Sequence, residues 1–150
     1  MPAITVVSPV GVLSIEEEGD AIVAVHWGRA RQDAFSPLLL NAARQISEYF
    51  AGTRRDFDLP LKPAGAPFEQ SVWAAMSRIP YGQTRSYGEI AAEVGGMPQA
   101  VGGACGSNPI PVIIPCHRVL AAQGRLGGYS GEGGAKTKTA LLVLEGALLV

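Results

Sequence analysis

Residues 86–106 read SYGEIAAEVGGMPQAVGGACG, and this stretch decides the fold of the second half of the chain. Ser86, with Glu89 three residues later, is the capping-box pattern that begins a helix. The sequence GGMP at 95–98 ends that helix, and residues 99–106 are typical of a second short helix. Two short helices around a glycine-containing turn predict a helix-turn-helix unit.

The residues on either side of this unit are also predicted to be mainly helical. Apolar spacing from Pro67 predicts a helix that ends before Pro80, and residues 136–146 predict a last helix. An apolar run at 112–114 and a glycine-rich loop at 124–134 lie between the predicted helices.

The first residues of the chain have the pattern of an antiparallel sheet. Two β-rich runs on either side of Pro9-Val10-Gly11 predict a hairpin over 4–15. Residues 21–27 predict a third strand, and the acidic residues at 16–20 predict the turn before it.

One helix and an extended link are predicted to follow this sheet. Ser36 and Pro37 are typical of the N-cap and the first residue of a helix that continues to Phe50, with Gly52 as its stop. Residues 56–67 contain three prolines and predict an extended link.

The composition excludes several classes of protein. The chain has 150 residues, about the length of one domain, with 47% hydrophobic and 17% charged residues. This balance is too apolar and too weakly charged for an intrinsically disordered chain. No apolar run approaches the roughly 20 residues of a membrane-spanning helix, and the N-terminus lacks a signal-peptide pattern. Two cysteines cannot form a disulfide framework, so we expect a cytoplasmic protein.

Charge is distributed unevenly along the chain, whose formal net charge is −1. Residues 1–70 carry nine acidic and six basic residues, whereas residues 71–150 carry four acidic and six basic residues. The mildly basic second half is compatible with a partner that presents a phosphate backbone, but it does not establish one.

The segment with the most informative chemistry is Ile114-Pro115-Cys116-His117-Arg118-Val119. Cys116 follows a β-branched apolar run, which should hold it rigidly, and neighbouring basic groups raise the thiolate fraction of a cysteine. From these residues alone, a structural buried cysteine is the more frequent interpretation. A zinc site is less favoured still, because no pair among Cys105, Cys116, His26 and His117 has zinc-ligand spacing.

The sequence Pro115-Cys116-His117-Arg118-Val119 resembles the active-site motif of the O6-alkylguanine-DNA alkyltransferases, and the likeness extends over 67–147. Several ordered motifs are much more specific than one short motif. Residues 1–60 resemble the smaller N-terminal region of that family in pattern only. The further segments that match in order are Phe68 with Val72-Trp73, 79–82, Thr84, 86–91, 100–104, Asn108-Pro109, 127–130 and 141–146.

The resemblance implies an irreversible transfer of an alkyl group from O6 of guanine in DNA, and from O4 of thymine, to Cys116. Each protein molecule would act once. His117 is then the base, acting through a water molecule, and Glu145 orients it. Tyr87 is the proton donor to the leaving guanine, and Asn108 ties the turn after the recognition helix to the active site. A soft thiolate suits displacement at a saturated carbon.

The resemblance also implies base flipping, because the target atom lies inside the stacked duplex. The family uses a helix-turn-helix in the minor groove, and its recognition helix is small and apolar, as residues 100–104 are. The base pocket is expected to use backbone carbonyls of Cys116 and Val119, together with Tyr129, Ser130 and Pro111. The residues expected at the DNA are Gln99, Ala100, Gly103, Arg118, Thr84 and Ser86.

One position departs from the family pattern. Gln99 stands where the family has an arginine that replaces the extruded base, and residues 93–116 contain no lysine or arginine. Glutamine can donate hydrogen bonds but lacks the charge and the planar stacking group of arginine. We therefore expect weaker DNA binding and slower flipping than in an arginine-bearing relative. Five basic residues are either phosphate contacts or charges without that role: Arg85, Arg118, Arg125, Lys136 and Lys138.

Taken with the resemblance, the sequence predicts an α+β fold in two parts. Residues 1–63 form a small N-terminal α/β roll with an antiparallel sheet, and residues 64–150 form a mostly helical domain that binds DNA and accepts the alkyl group. We expect a monomer that acts on double-stranded DNA containing O6-alkylguanine, with no cofactor, no metal and no membrane partner.

Two other functions fit parts of the sequence. A non-enzymatic lesion-binding protein, as in the alkyltransferase-like proteins, would lack the acceptor cysteine, and this chain keeps Cys116, His117 and Glu145. A helix-turn-helix regulator is disfavoured by the weak basicity of the predicted recognition helix.

Overall fold

A three-stranded antiparallel sheet forms the first part of the chain, as the hairpin pattern predicts. The computed structural model describes residues 1–129 and 133–148. Strands β1 (Ala3–Ser8), β2 (Gly11–Glu18) and β3 (Ala21–Trp27) pair in chain order, with β2 in the centre.

The acidic residues at 16–18 belong to β2 and not to the predicted turn. Strand β2 pairs with both neighbours, and its register with β3 shifts between Glu16 and Glu17. Pairing on both sides satisfies the backbone of these residues and outweighs the low strand propensity of glutamate. The reversal is therefore confined to Gly19 and Asp20.

Helix α1 (Pro37–Phe50) packs against this sheet. Its first turn is capped by Ser36, whose Oγ accepts a hydrogen bond from the backbone N–H of Leu39 at 3.1 Å. Each fully buried aliphatic side chain here contributes about 1.5–3 kcal/mol to folding. The largest buried side chains of the helix and sheet are Leu13, Ile15, Ile22, Leu39, Ile46 and Tyr49.

The chain separates into two compact units, and a short later segment joins the first of them. The first unit is Met1–Ala64 with Pro109–Ile113, and the second is Gly65–Asn108 with Ile114–Val150. Within the first unit, the carbonyl of Pro109 accepts a hydrogen bond from the N–H of Val25 at 2.9 Å.

The second unit is mainly helical. Its helices are α2 (Pro67–Ser77), α3 (Tyr87–Val94), α4 (Pro98–Gly106) and α5 (Ala135–Leu144). Helices α2, α3 and α4 pack against one another. A parallel pair of two-residue strands, β4 (Arg85–Ser86) and β5 (Val119–Leu120), was not predicted.

Helix α2 ends at Ser77, two residues before the predicted end. The N–H groups of Arg78 and Ile79 bond to the carbonyls of Ala75 and Met76, which tightens the chain into a turn before Pro80.

The predicted helix-turn-helix is confirmed as the pair α3 and α4. Ser86 Oγ accepts a hydrogen bond from Glu89 N at 3.0 Å, and Glu89 Oε1 accepts one from Ser86 N at 2.8 Å. Gly95 ends α3 with φ of +77°, a left-handed conformation that favours glycine. A β-carbon on Gly96 would lie 2.6 Å from the ring of Phe68, so this turn rests directly on α2. None of the helices in the described parts of the chain is long and apolar enough to cross a membrane.

Candidate active site

Cys116 begins a short 3₁₀ helix, Cys116–Arg118, and its side chain is buried. The preceding apolar run is a turn, in which Val112 adopts φ of +73°. Burial raises the pKa of the Cys116 thiol, while a hydrogen bond with Asn108 and the charge of Lys138 act in the opposite direction. The resting side chain is therefore a neutral thiol, and a base has to remove its proton before it can act as a nucleophile.

The ring of His117 is positioned by a buried carboxylate. Nε2 of His117 lies 2.8 Å from Oε2 of Glu145, and neither side chain is exposed to solvent. A carboxylate only accepts hydrogen bonds, so Nε2 carries the hydrogen and Nδ1 is left as the basic nitrogen. Nδ1 is buried and has no hydrogen-bond partner among the described residues. Burial lowers the pKa of His117, which keeps the ring neutral and ready to accept a proton.

Arg118 is buried on the other side of the same carboxylate. Its Nε donates to Oε1 of Glu145 at 2.8 Å, and its second terminal nitrogen donates to Oε2 at 3.0 Å. A further bond runs from Arg118 to the carbonyl of Ile79 at 2.7 Å. A guanidinium held inside the protein by these bonds cannot reach a phosphate backbone. This geometry corrects the expected DNA contact of Arg118 to a role in holding Glu145.

Lys138 is also buried. The sequence predicted either a phosphate contact or a charge without that role, and burial was not predicted. Its ammonium donates to the carbonyl of Val119 at 2.7 Å and to that of Gly128 at 3.1 Å. It lies 5.7 Å from the centre of the Tyr87 ring. Lys138 is thus a buried cation beside the thiol site, and burial lowers its pKa. No periodicity or motif in the polar start of α5 signals this position.

A cavity of about 290 Å³ gives access to the thiol. Burial raises the pKa of Tyr87 to about 12 and raises that of Tyr129, so both phenols are neutral hydrogen-bond donors at pH 7. The residues that line the cavity are Tyr87, Gly102, Cys105, Gly106, Cys116, Gly128 and Tyr129.

A second 3₁₀ helix spans Ala122–Gly124, and Gly127 brings the loop after it close to Tyr87. Its φ is +71°, and a β-carbon there would lie 3.1 Å from Cε2 and 3.2 Å from the hydroxyl of Tyr87. The glycine therefore serves both the left-handed backbone and the close approach.

The remaining predicted site residues differ in their exposure and in whether they line the cavity. Gln99, Ala100 and Gly103 are exposed on α4, whereas Thr84 and Ser86 are partly buried just before α3. The carbonyl of Val119 already accepts a hydrogen bond from Lys138, and its second lone pair can accept another. Pro111 belongs to the segment that joins the first unit, and it is not among the residues lining the cavity. Ser130 lies outside the described residues.

Cys105 also lines the cavity. Its sulfur lies 3.5 Å from Sδ of Met76, and burial raises the pKa of its thiol to about 12. It is therefore a protonated thiol at neutral pH, and it offers no nucleophile in this state.

Comparisons with known proteins identify the family of the chain. Family models described as the DNA binding domain and the ribonuclease-like domain of 6-O-methylguanine DNA methyltransferase match residues 67–147 and 3–63. A methylated-DNA–protein-cysteine methyltransferase of Mycobacterium bovis is 43% identical over 94% of this chain and 90% of its own length. One of the same name in Bacillus subtilis is 43% identical over 85% of this chain and 86% of its own length.

A solved structure, that of Mycobacterium tuberculosis OGT in complex with DNA, is similar in fold. It has a TM-score of 0.87 and 42% sequence identity, covering 98% of this chain and 94% of that one. Both domain models match in order and together span most of the sequence. The chain therefore belongs to the 6-O-methylguanine DNA methyltransferase family.

Proposed function

We propose that this chain repairs DNA directly, by transferring an alkyl group from O6 of guanine to Sγ of Cys116. The observation that carries the proposal is a cysteine that lines a cavity with Tyr87 and is followed by a histidine held by the buried Glu145. Membership of the family supports the same reaction.

The reaction needs a proton to leave Cys116 and a proton to reach the guanine. The thiol proton passes through a water molecule to Nδ1 of His117, and Glu145 stabilises the imidazolium. The sulfur then attacks the alkyl carbon, so the S–C bond forms as the C–O6 bond breaks and its electron pair stays with the guanine. Tyr87 donates its proton to the guanine, and the proton on His117 later restores the phenol. The thioether left on Cys116 is stable, so each molecule acts once.

Buried polar groups assist this proton transfer. The positive charge of Lys138 and the hydrogen bond with Asn108 both lower the pKa of Cys116. They therefore partly offset the effect of burial on the thiol and stabilise the thiolate as it forms.

We assign DNA binding and alkyl acceptance to residues 64–150, with α4 as the recognition helix in the minor groove. The target nucleotide has to leave the stack to reach the buried thiol. Gln99 donates hydrogen bonds to the base that loses its partner, and the half-buried Arg85 and the exposed Arg125 contact phosphates.

Several wider properties follow from the same proposal. The protein works as a monomer, because one chain carries the acceptor and the residues that activate it. The two free cysteines Cys105 and Cys116 suit the reducing cytoplasm. O4-alkylthymine is a second substrate, and no cofactor or metal takes part.

The fate of the DNA tests this proposal. A duplex with one O6-methylguanine is incubated with the protein, and its nucleosides are then separated and quantified. We expect guanine to be restored, with an intact strand, in an amount that does not exceed the amount of protein. A duplex that is bound tightly but keeps its O6-methylguanine would contradict the proposal and indicate a lesion-binding protein.

A further inference from the structure

Met97 exposes a large apolar side chain at the start of α4. Its exposed fraction is 65%, against 42% for Val143, the other exposed large apolar residue in the described part of this unit. Met97 is the N-cap residue, a position that favours Ser, Thr, Asp or Asn because their side chains accept hydrogen bonds from the first N–H groups. Met97 makes no such bond. Its presence therefore stabilises neither the helix nor the core.

The side chain lies beside a small exposed residue of α4. Positions three apart are neighbours on a helix surface, so Met97 lies next to Ala100, and Gly103 follows one step further around the helix. Ala100 and Gly103 are exposed, and Gly106 lines the cavity of Cys116. Small residues let the α4 backbone approach another surface closely. Helix α4 thus exposes one large apolar side chain at its N-terminal end, while residues of its C-terminal half line the thiol cavity.

We propose that Met97 inserts into the base stack of DNA, beside the nucleotide that flips towards Cys116. Proteins that bind the minor groove use apolar side chains, methionine among them, as wedges between base steps. The unbranched thioether adapts its shape to such a gap. Residues 94–115 carry no lysine or arginine that could fill the stack instead. Met97 occupies the gap that opens in the base stack, while Gln99 hydrogen-bonds the unpaired base. This inference rests on the proposed function.

The rates of transfer from double-stranded and from single-stranded DNA test the proposed insertion of Met97, which is called the wedge below. The rate of methyl transfer to Cys116 is measured in single turnovers, with the same O6-methylguanine oligonucleotide as a duplex and as a single strand. The wild type is compared with Met97→Ser, Met97→Leu and the matched surface control Val143→Ala. We expect Met97→Ser to lower the duplex-to-single-strand rate ratio by roughly tenfold, since only the duplex has a full stack to open. Met97→Leu and Val143→Ala should keep the ratio within about threefold.

Stability and fluorescence separate this effect from misfolding. Serine is a good N-cap, so Met97→Ser should raise Tm by a few degrees while it slows the duplex reaction. A 2-aminopurine placed beside the lesion should brighten when wild-type protein binds and should not brighten with Met97→Ser. An unchanged rate ratio in Met97→Ser would overturn the wedge. Absence of transfer by the wild type from either strand form would instead contradict the proposed function on which the inference rests.

Discussion

His117 and Glu145 are 28 positions apart in the sequence, yet Nε2 of His117 lies 2.8 Å from Oε2 of Glu145 in a solvent-free site. Arg118, the next residue after the histidine, binds both oxygens of the same carboxylate. Glu145 thus makes two kinds of contact: it fixes the ring orientation that leaves Nδ1 without a hydrogen, and it neutralises a buried guanidinium.

Glu145→Gln is expected to impair both functions. The amide cannot stabilise an imidazolium, so the single-turnover rate should fall by about 10²-fold or more. Arg118 would keep its buried charge without an anionic partner, which should lower the free energy of unfolding by about 3–5 kcal/mol. Stopped-flow transfer assays and urea unfolding measure the two effects. Glu48→Gln is the control, since Glu48 pairs with Arg44 and Arg54 at the surface and should change stability little.

The lowered pKa of His117 predicts a loss of stability in mild acid. An unfolded histidine binds a proton near pH 6.5, whereas folded His117 stays neutral to lower pH because it is buried. The unfolded state therefore binds more protons below about pH 6.5, and stability falls as the pH falls through that value. Thermal melts between about pH 5 and pH 7.5 should show this trend. A His117→Gln variant with the same acid dependence as wild type would contradict it, and the exposed His26 is common to both proteins.

The buried amine of Lys138 is expected to affect stability and the reactivity of Cys116 more than the exposed amine of Lys136 does. Lys138→Met leaves the carbonyls of Val119 and Gly128 without their donor, which should cost about 2–4 kcal/mol of stability. It also removes a charge that lowers the pKa of Cys116, so the alkylation rate of the thiol should rise only at higher pH than in wild type. Iodoacetamide labelling against pH measures this shift. Lys136→Met changes an exposed residue of the same helix, and an equal shift there would rule out the assignment.

Gly127 and Gly124 form a matched pair for the close approach to Tyr87. Both have positive φ, but a β-carbon would meet Tyr87 only at Gly127 and open space at Gly124. Gly124→Ala should cost about 1–2 kcal/mol from the backbone alone. Gly127→Ala should cost more and should also slow alkyl transfer, because Tyr87 is displaced from the cavity. Equal rates in the two variants would show that the loop tolerates the shift.

Local sequence signals predicted the elements that depend on their own residues. The cap at Ser36 and the capping box of Ser86 with Glu89 both form hydrogen bonds that the sequence pattern implies. The antiparallel sheet, the two short helices and the family were predicted for the same reason, since turn residues and ordered motifs are local. The resemblance also pointed to His117 and Glu145, whose contact no local pattern could reveal.

The features that sequence could not supply depend on partners far along the chain. The sequence left Lys138 either as a phosphate contact or as a solvated charge, whereas in the structure its buried ammonium donates to the carbonyls of Val119 and Gly128. Arg118 was expected to contact DNA, but in the structure its guanidinium is bound to the carboxylate of Glu145. The glutamates of β2 were predicted to form a turn, but β2 pairs with a strand on each side. Each of these outcomes is a tertiary contact that outweighs a local preference.

The acceptor role of Cys116 is the central claim, and intact-mass spectrometry of the protein tests it most directly. Wild type, Cys116→Ser and Cys105→Ser are each incubated with a duplex that carries one O6-methylguanine, and the modified residue is located by peptide mapping. Cys105 is the matched control because it lines the same cavity. The account predicts a gain of one methyl group on Cys116 in wild type and in Cys105→Ser, and no gain in Cys116→Ser. A methyl group on Cys116→Ser protein, or on Cys105 of the wild type, would contradict it.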